Sequence, residues 1–470
     1  MRVAEHGDAT VHPSIPTQPS AQATVRSRPL LLLERTMYRD RHTPFASIFT
    51  IKLQGDLNEL RLRQALARVQ AKHPLLRCVV EDAVPGPRFV LSDRPAAIPL
   101  RITERNGDSD WQTEVRREWV TPFHGAHEPL VRLVWLRGGE TNELVLLAHH
   151  CICDGQSGIT LLRDCLSAYD HPEQALTSYD TLGAIEDIVP AELLLNRQFR
   201  RRLRWKRQLF RWTLLLKNSG SHRPAGLPIS PDQMYFHRWT LGAPAALALT
   251  ERCRAENATV LAAVSLAFMQ AFRDIRGAQA LAKVNTMVNA RRFLPKMNPD
   301  ALFGLAPAAA LPTKDLPPPQ DMSTHDFWAR ARELKADLGR SIDHLGAGLY
   351  DKLVGLEGLH DKYSSLVDFF ERPPAVRHLT FSNMGRLDLP QQYQSFRLEK
   401  VYSPLVMVSP TPANTVVLSS FAGEMEFAMV SDEQSLPHSE ALSIKKRAME
   451  ILHTSIAIFP RHQSGRAATA

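Results

Sequence analysis

The sequence predicts an α/β (α+β) fold built from two domains, and three observations lead there. The chain has 470 residues, more than one small core organises and suited to two domains of about 200 residues each. A strand, a glycine and an amphipathic helix follow one another in both halves, at Phe45 to Arg68 and at Tyr235 to Cys253. Between the halves lies Gly220 to Pro231, whose three prolines mark a linker. The expected organisation is a tail over 1–27, an N-terminal domain over 28–190, a basic helix and linker over 191–231, a C-terminal domain over 232–460 and a second tail over 461–470.

The elements can be argued in chain order. Phe45 to Leu53 is rich in β-branched and aromatic residues and predicts a strand. Asn58 can cap a helix over Leu60 to Lys72, where Leu62, Ala65, Leu66 and Val69 recur at helical spacing. His73-Pro74 stops it, because proline lacks the donor and clashes with the preceding turn. Strands are expected over Leu75 to Glu81, Pro129 to Trp135 and Glu143 to His149, and a helix over Thr160 to Tyr169. In the second half, Tyr235 to Leu241 and Leu281 to Val288 predict strands. Helices are expected from Pro244 to Glu256, where proline suits a first turn, and from Val260 to Arg273, capped by Thr259. The last strands expected are His378 to Ser382, Thr415 to Phe421 and Glu424 to Val430.

Composition excludes several classes. With 44% hydrophobic and 23% charged residues, the chain is not disordered, collagenous or coiled coil. Five cysteines, an odd number, do not make a disulfide framework; Cys78, Cys165 and Cys253 lie in apolar-periodic segments and are expected as small buried hydrophobes. No run reaches the roughly 20 apolar residues of a membrane-spanning helix. Glu5, His6 and Asp8 stand where a signal peptide would be apolar, so a cytoplasmic location is expected. Nine of the cations lie between Arg197 and Lys217, a stretch without acids; set aside from the +8 net charge, they leave the rest one charge negative. A general nucleic-acid surface is therefore not expected. Phe199, Leu203, Leu209, Phe210 and Trp212 give this stretch a partly amphipathic pattern. Its plainer reading is a solvated helix along the domain junction. An acidic carrier, coenzyme A phosphates and peripheral contact with an anionic membrane are the alternatives.

The chemistry concentrates in His149-His150-Cys151-Ile152-Cys153-Asp154-Gly155, which follows the apolar strand Val145 to Ala148. A strand end feeding a loop presents reactive groups on a rigid scaffold. Histidine titrates near neutrality, so it can take a proton from a nucleophile and return it to a leaving group. Strand alternation sends His149 and His150 to opposite faces, so adjacent imidazoles do not easily share one ion. No metal site is expected. Gly155 lets backbone approach closely.

His149-His150-x-x-x-Asp154-Gly155 resembles the signature of the condensation-domain superfamily of acyltransferases, which includes peptide-synthetase condensation domains, polyketide-associated acyltransferases, alcohol acyltransferases and wax ester synthases. The resemblance runs from roughly 28 to 455. Lys72-His73-Pro74-Leu75-Leu76-Arg77 resembles the end of the family's first helix. Pro122-Phe123 with Pro129-Leu130-Val131-Arg132 resembles a family strand, with His124 in place of an acid. Val288-Asn289-Ala290-Arg291 and Ser382-Asn383-Met384-Gly385 resemble two second-domain motifs.

The resemblance implies two chloramphenicol-acetyltransferase-like domains, mixed sheets flanked by helices, and an active-site tunnel at their interface. It implies His150 as general base, His149 as a supporting residue, and Asp154 as a structural residue paired to an arginine, with Arg291 expected and Arg292 as the alternative. Asn383 and Ser382 are expected to bind substrate. No cofactor is expected to be permanently bound. The donor is expected from outside these residues, as acyl-coenzyme A or an acyl carrier protein, and the acceptor is a small alcohol or amine. Such a reaction needs no covalent acyl-enzyme, so Cys151 and Cys153 need not be nucleophiles. The rival expectation is a binding or scaffold protein that keeps the fold without the reaction.

Overall fold

The computed structural model describes residues 26–39, 45–179, 182–219, 233–277, 280–305, 307–312, 323–370, 378–406 and 414–457. The expected linker Gly220 to Pro231, the tail 461–470 and nearly all of the tail 1–27 lie outside them. Two mixed sheets carry the molecule, and helices flank them. The first is formed by β1 (Ala46–Gln54), β2 (Leu100–Glu104), β3 (Val131–Arg137) and β4 (Thr141–His149). The second contains β5 (Met234–Leu241), β6 (Lys283–Met287), β7 (Ala308–Leu311), β8 (His378–Arg386), β11 (Asn414–Phe421) and β12 (Glu424–Asp432), in the order β7-β6-β8-β11-β12-β5.

Two further strands, β9 (Arg397–Val401) and β10 (Leu405–Val406), cross the expected division at 232. Both leave the second half and pair antiparallel with β1, giving the first sheet the order β9-β1-β4-β3-β2 with β10 beside β9 on β1. Leu398, Val401 and Leu405 are buried in the first core, together with Phe236, Val417 and Ala428. The two halves therefore share packing and are not independent bodies along the sequence.

The local chemistry of the elements is as the residues dictate. Asn58 accepts from the Arg61 N–H at 3.0 Å and caps α1 (Glu59–Lys72). Pro74 follows its end and opens a 3-10 turn over Pro74–Arg77, so the strand expected from Leu75 is confined to Cys78–Glu81. Thr259 caps α4 (Val260–Arg276), whose residues Ala262 to Phe272 are all buried. Helix α2 (Gly155–Asp170) starts five residues before the expected Thr160, because Asp154 caps it. It packs closely on β1: a Cβ at Gly158 would stand 1.8 Å from the Phe49 ring. The basic stretch forms α3 (Arg197–Ser219), which leans on α6 (Leu349–Glu357) and α7 (Tyr363–Phe370). Two long helices not anticipated from the sequence, α5 (Thr324–Ala347) and α8 (His438–Ala457), cover the second sheet with α4.

Candidate active site

Strand β4 ends at His149, and the backbone around the two imidazoles is fixed from both neighbours. The His149 N–H donates to the Leu130 carbonyl and the His150 N–H to the Phe45 carbonyl, each at 2.8 Å. The side chains then diverge. His149 is buried between Tyr38 and Phe123, with ring centroids 5.5 and 5.6 Å away. Its Nδ1 accepts from the Cys151 N–H at 3.2 Å, which leaves the proton of the neutral ring on Nε2. Burial, then the neighbouring His150 and Arg132, pull its pKa down to about 3. This imidazole is neutral across the physiological range and cannot shuttle protons there.

His150 is half-buried, 5.2 Å from the Phe45 ring. Its Nδ1 is the enclosed nitrogen and has no hydrogen-bond partner among the described residues. Burial lowers its pKa below the ordinary imidazole value, opposed by its own carbonyl, the Asp154 carboxylate and the Cys153 carbonyl. Cys151 and Cys153 are fully buried, and burial pushes both thiols well above the ordinary range. A thiol held protonated in this way is a poor nucleophile.

The loop that carries His150 is tied to the second half of the chain. Arg291, at the start of a 3-10 turn after β6, donates from Nη1 to Asp154 Oδ2 at 2.5 Å; both side chains are under 10% exposed. Its Nη2 donates to the Ser157 hydroxyl at 2.8 Å and to the Ala301 carbonyl at 3.1 Å. The other Asp154 oxygen accepts from the Ser157 N–H at 2.9 Å, so one carboxylate caps α2 and holds the arginine. Arg292, the alternative partner, is exposed and lies over the Phe293 ring.

Sequence reasoning missed three further members of this clasp. The Ser157 hydroxyl accepts from the Phe303 N–H and donates to the Phe303 carbonyl, and the Asp154 N–H donates to that same carbonyl at 3.1 Å. Gly304 follows; a Cβ there would stand 2.3 Å from the His150 carbonyl oxygen and 2.7 Å from that of Cys151. Nothing around 303–304 in the sequence marks them, since their partners lie about 150 residues away. Gly155 faces Met384, whose sulfur would be 2.5 Å from an added Cβ; this brings the Ser382-Asn383-Met384-Gly385 motif of β8 against the loop. Asn383 itself is exposed, and its Oδ1 accepts from the Gly385 N–H at 2.9 Å.

These contacts give a graded expectation for the two glycines. Gly304→Ala forces backbone apart and should lower stability by about 1–3 kcal/mol, whereas Gly155→Ala meets only the flexible end of Met384 and should cost less. Urea unfolding of both variants measures this; equal losses would show that the seam yields freely.

The family model for the Condensation domain matches residues 35–180, which contain the whole loop. A linear gramicidin synthase of Brevibacillus parabrevis is 27% identical over 182 residues, 36% of this chain. Over residues 35–180 this chain is similar to the Condensation domain. It matches only 4% of the length of that synthase. Likeness of fold extends over most of the chain. The trichothecene 15-O-acetyltransferase TRI3 of Fusarium sporotrichioides superposes with a TM-score of 0.68 at 12% identity, covering 95% of this chain and all of that one. Polyketide synthase associated protein 5 of Mycobacterium tuberculosis gives 0.60 at 16%, covering 91% and 97%. The architecture is thus the chloramphenicol-acetyltransferase-like one of condensation and acyltransferase folds.

Proposed function

We propose that the protein transfers an acyl group from a thioester to a hydroxyl or amine, with His150 as general base. The observation that carries this reading is a neutral, half-buried imidazole at the end of β4, held at the seam of the two halves by the Asp154–Arg291 clasp. The donor is an acyl-coenzyme A or an acyl group on a carrier protein, and both substrates reach His150 through a tunnel between the halves. A cytoplasmic location belongs to the same proposal.

In the proposed route, Nε2 of His150 accepts the proton of the acceptor as its oxygen or nitrogen attacks the thioester carbonyl. With the Ser157 N–H taken by the Asp154 cap, the N–H groups of Gly155 and Gln156 at the start of α2 are the ones that suit the developing oxyanion. When the intermediate collapses, the carbon–sulfur bond breaks and the sulfur takes the proton from His150. Ester or amide and free thiol are the products. No permanently bound cofactor and no acyl-enzyme take part. His149 packs behind the loop and supports it; Ser382 and Asn383 are proposed to contact substrate.

Free-thiol release tests the reading. The purified protein is given acyl-coenzyme A donors of graded chain length, with and without panels of alcohols and amines. Acceptor-dependent thiol release is the expected outcome, and the acceptor that raises it assigns ester or amide formation. Binding of donors without acceptor-dependent release from coenzyme A or from a loaded carrier protein would favour a scaffold.

The depressed pKa of His149 gives a separate expectation for stability. The unfolded chain binds a proton on this imidazole below about pH 6.5, while the folded protein refuses it down to about pH 3. Stability from this group is therefore complete above pH 6.5 and falls as pH falls, by roughly 3 kcal/mol at pH 4. Denaturant unfolding at pH 7, 5 and 4, with His149→Gln showing a flatter loss, checks it; parallel losses in the two proteins would contradict it.

A further inference from the structure

Helix α3 carries a buried stripe and, on the opposite side, an exposed apolar stripe with no partner among the described residues. Phe199, Leu203 and Leu214 are buried and Phe210 is half-buried. On this side Leu203 lies near Gly355, and Phe210 joins the cluster of Leu32, Leu359 and Leu366. Arg202 and Lys206 pair with Asp351, and Arg211 pairs with Asp361. The opposite side shows Trp205, Leu209, Trp212 and Leu216, at 68, 54, 57 and 72% exposure. At 100° per residue these four fall within an arc of about 60°. Isolated exposed apolar residues are ordinary, but a continuous stripe marks an interaction surface.

The charge around the stripe selects its partner. Arg197, Arg200, Arg201 and Arg204 are exposed and have no carboxylate partner among the described residues. A second copy would bring the same arginines face to face. Tryptophan and leucine on one face with arginines beside them suit the headgroup boundary of a bilayer, where the indole is half-solvated and the guanidinium meets phosphate. Among the described residues no single helix is long and apolar enough to cross a membrane. We propose that α3 docks the protein peripherally on an anionic phospholipid surface, with Trp205, Leu209, Trp212 and Leu216 entering the boundary and the four unpaired arginines binding lipid phosphate.

Vesicle flotation tests this, using phosphatidylcholine vesicles with and without roughly 30% phosphatidylglycerol. The protein is expected to float with the anionic vesicles and not with the neutral ones, and its tryptophan emission is expected to shift to the blue. Trp205→Ser with Trp212→Ser should abolish flotation without moving the thermal midpoint, since both sites are exposed. Replacing Arg197, Arg200, Arg201 and Arg204 with glutamine should weaken binding on the order of 10³-fold. Equal capture by neutral vesicles, or flotation unchanged in the tryptophan variant, would overturn the proposal. So would failure to float combined with saturable binding of an acidic acyl carrier protein, which would assign the helix to a protein partner.

Discussion

Replacing His150 with alanine should lower turnover by about 10²–10⁴-fold while the protein stays folded. The size follows from the role: without a base the acceptor must lose its proton to water as it attacks. The folded state survives because the ring contributes little to the structure. It is half-buried and stacks loosely on Phe45, and its enclosed Nδ1 has no partner among the described residues to be orphaned. Turnover with the acceptor found by thiol release, compared with the thermal midpoint, separates the two quantities. A fully active His150→Ala protein would remove the general-base assignment and leave the fold assignment untouched.

Breaking the Asp154–Arg291 pair should do the opposite. Both side chains are buried, and each has several bonds that the other helps to orient. Arg291→Ala leaves a buried carboxylate facing a void, and Asp154→Ala leaves a buried guanidinium and an uncapped α2. Either should cost about 3–5 kcal/mol of stability, with the lost cap adding about 1 kcal/mol to the second. Removing both partners, as Asp154→Ala with Arg291→Met, should cost less than the sum of the single changes, because no charge is left unpaired. Urea unfolding of the four proteins closes the cycle. Single losses under about 1 kcal/mol with no coupling would mean that the clasp is decorative, and that something else holds the loop to the second half.

What the sequence reveals of this site depends on how far apart its parts lie. His149, His150, Asp154 and Gly155 are contiguous, at the end of a strand whose apolar run is plain, so the loop and its chemistry can be read directly. Helix α1 is equally legible, with Asn58 at one end and Pro74 at the other. Arg291 lies 137 residues from Asp154, and no local pattern points to it; only the resemblance to a family motif does. Ser157, Phe303 and Gly304 have no such motif, and their roles come from tertiary contact alone. The same holds for β9. Its sequence Arg-Leu-Glu-Lys-Val is short and charged, and its partner β1 lies more than 340 residues earlier. A linear division of the chain cannot show that one half completes the sheet of the other. The basic helix is evident as a helix, but only its packing separates the stripe held by α6 and α7 from the one that is left open.

The pH dependence of kcat/KM for acyl transfer tests the central claim most directly. Burial holds the His150 pKa below its ordinary value, and a base must be unprotonated to act. Activity should therefore stay level as pH falls from 7.5 through about 6.5, then drop along a single acid limb that is absent from the residual activity of His150→Ala. An acid limb that persists unchanged in that variant would place the titrating group elsewhere and contradict the account.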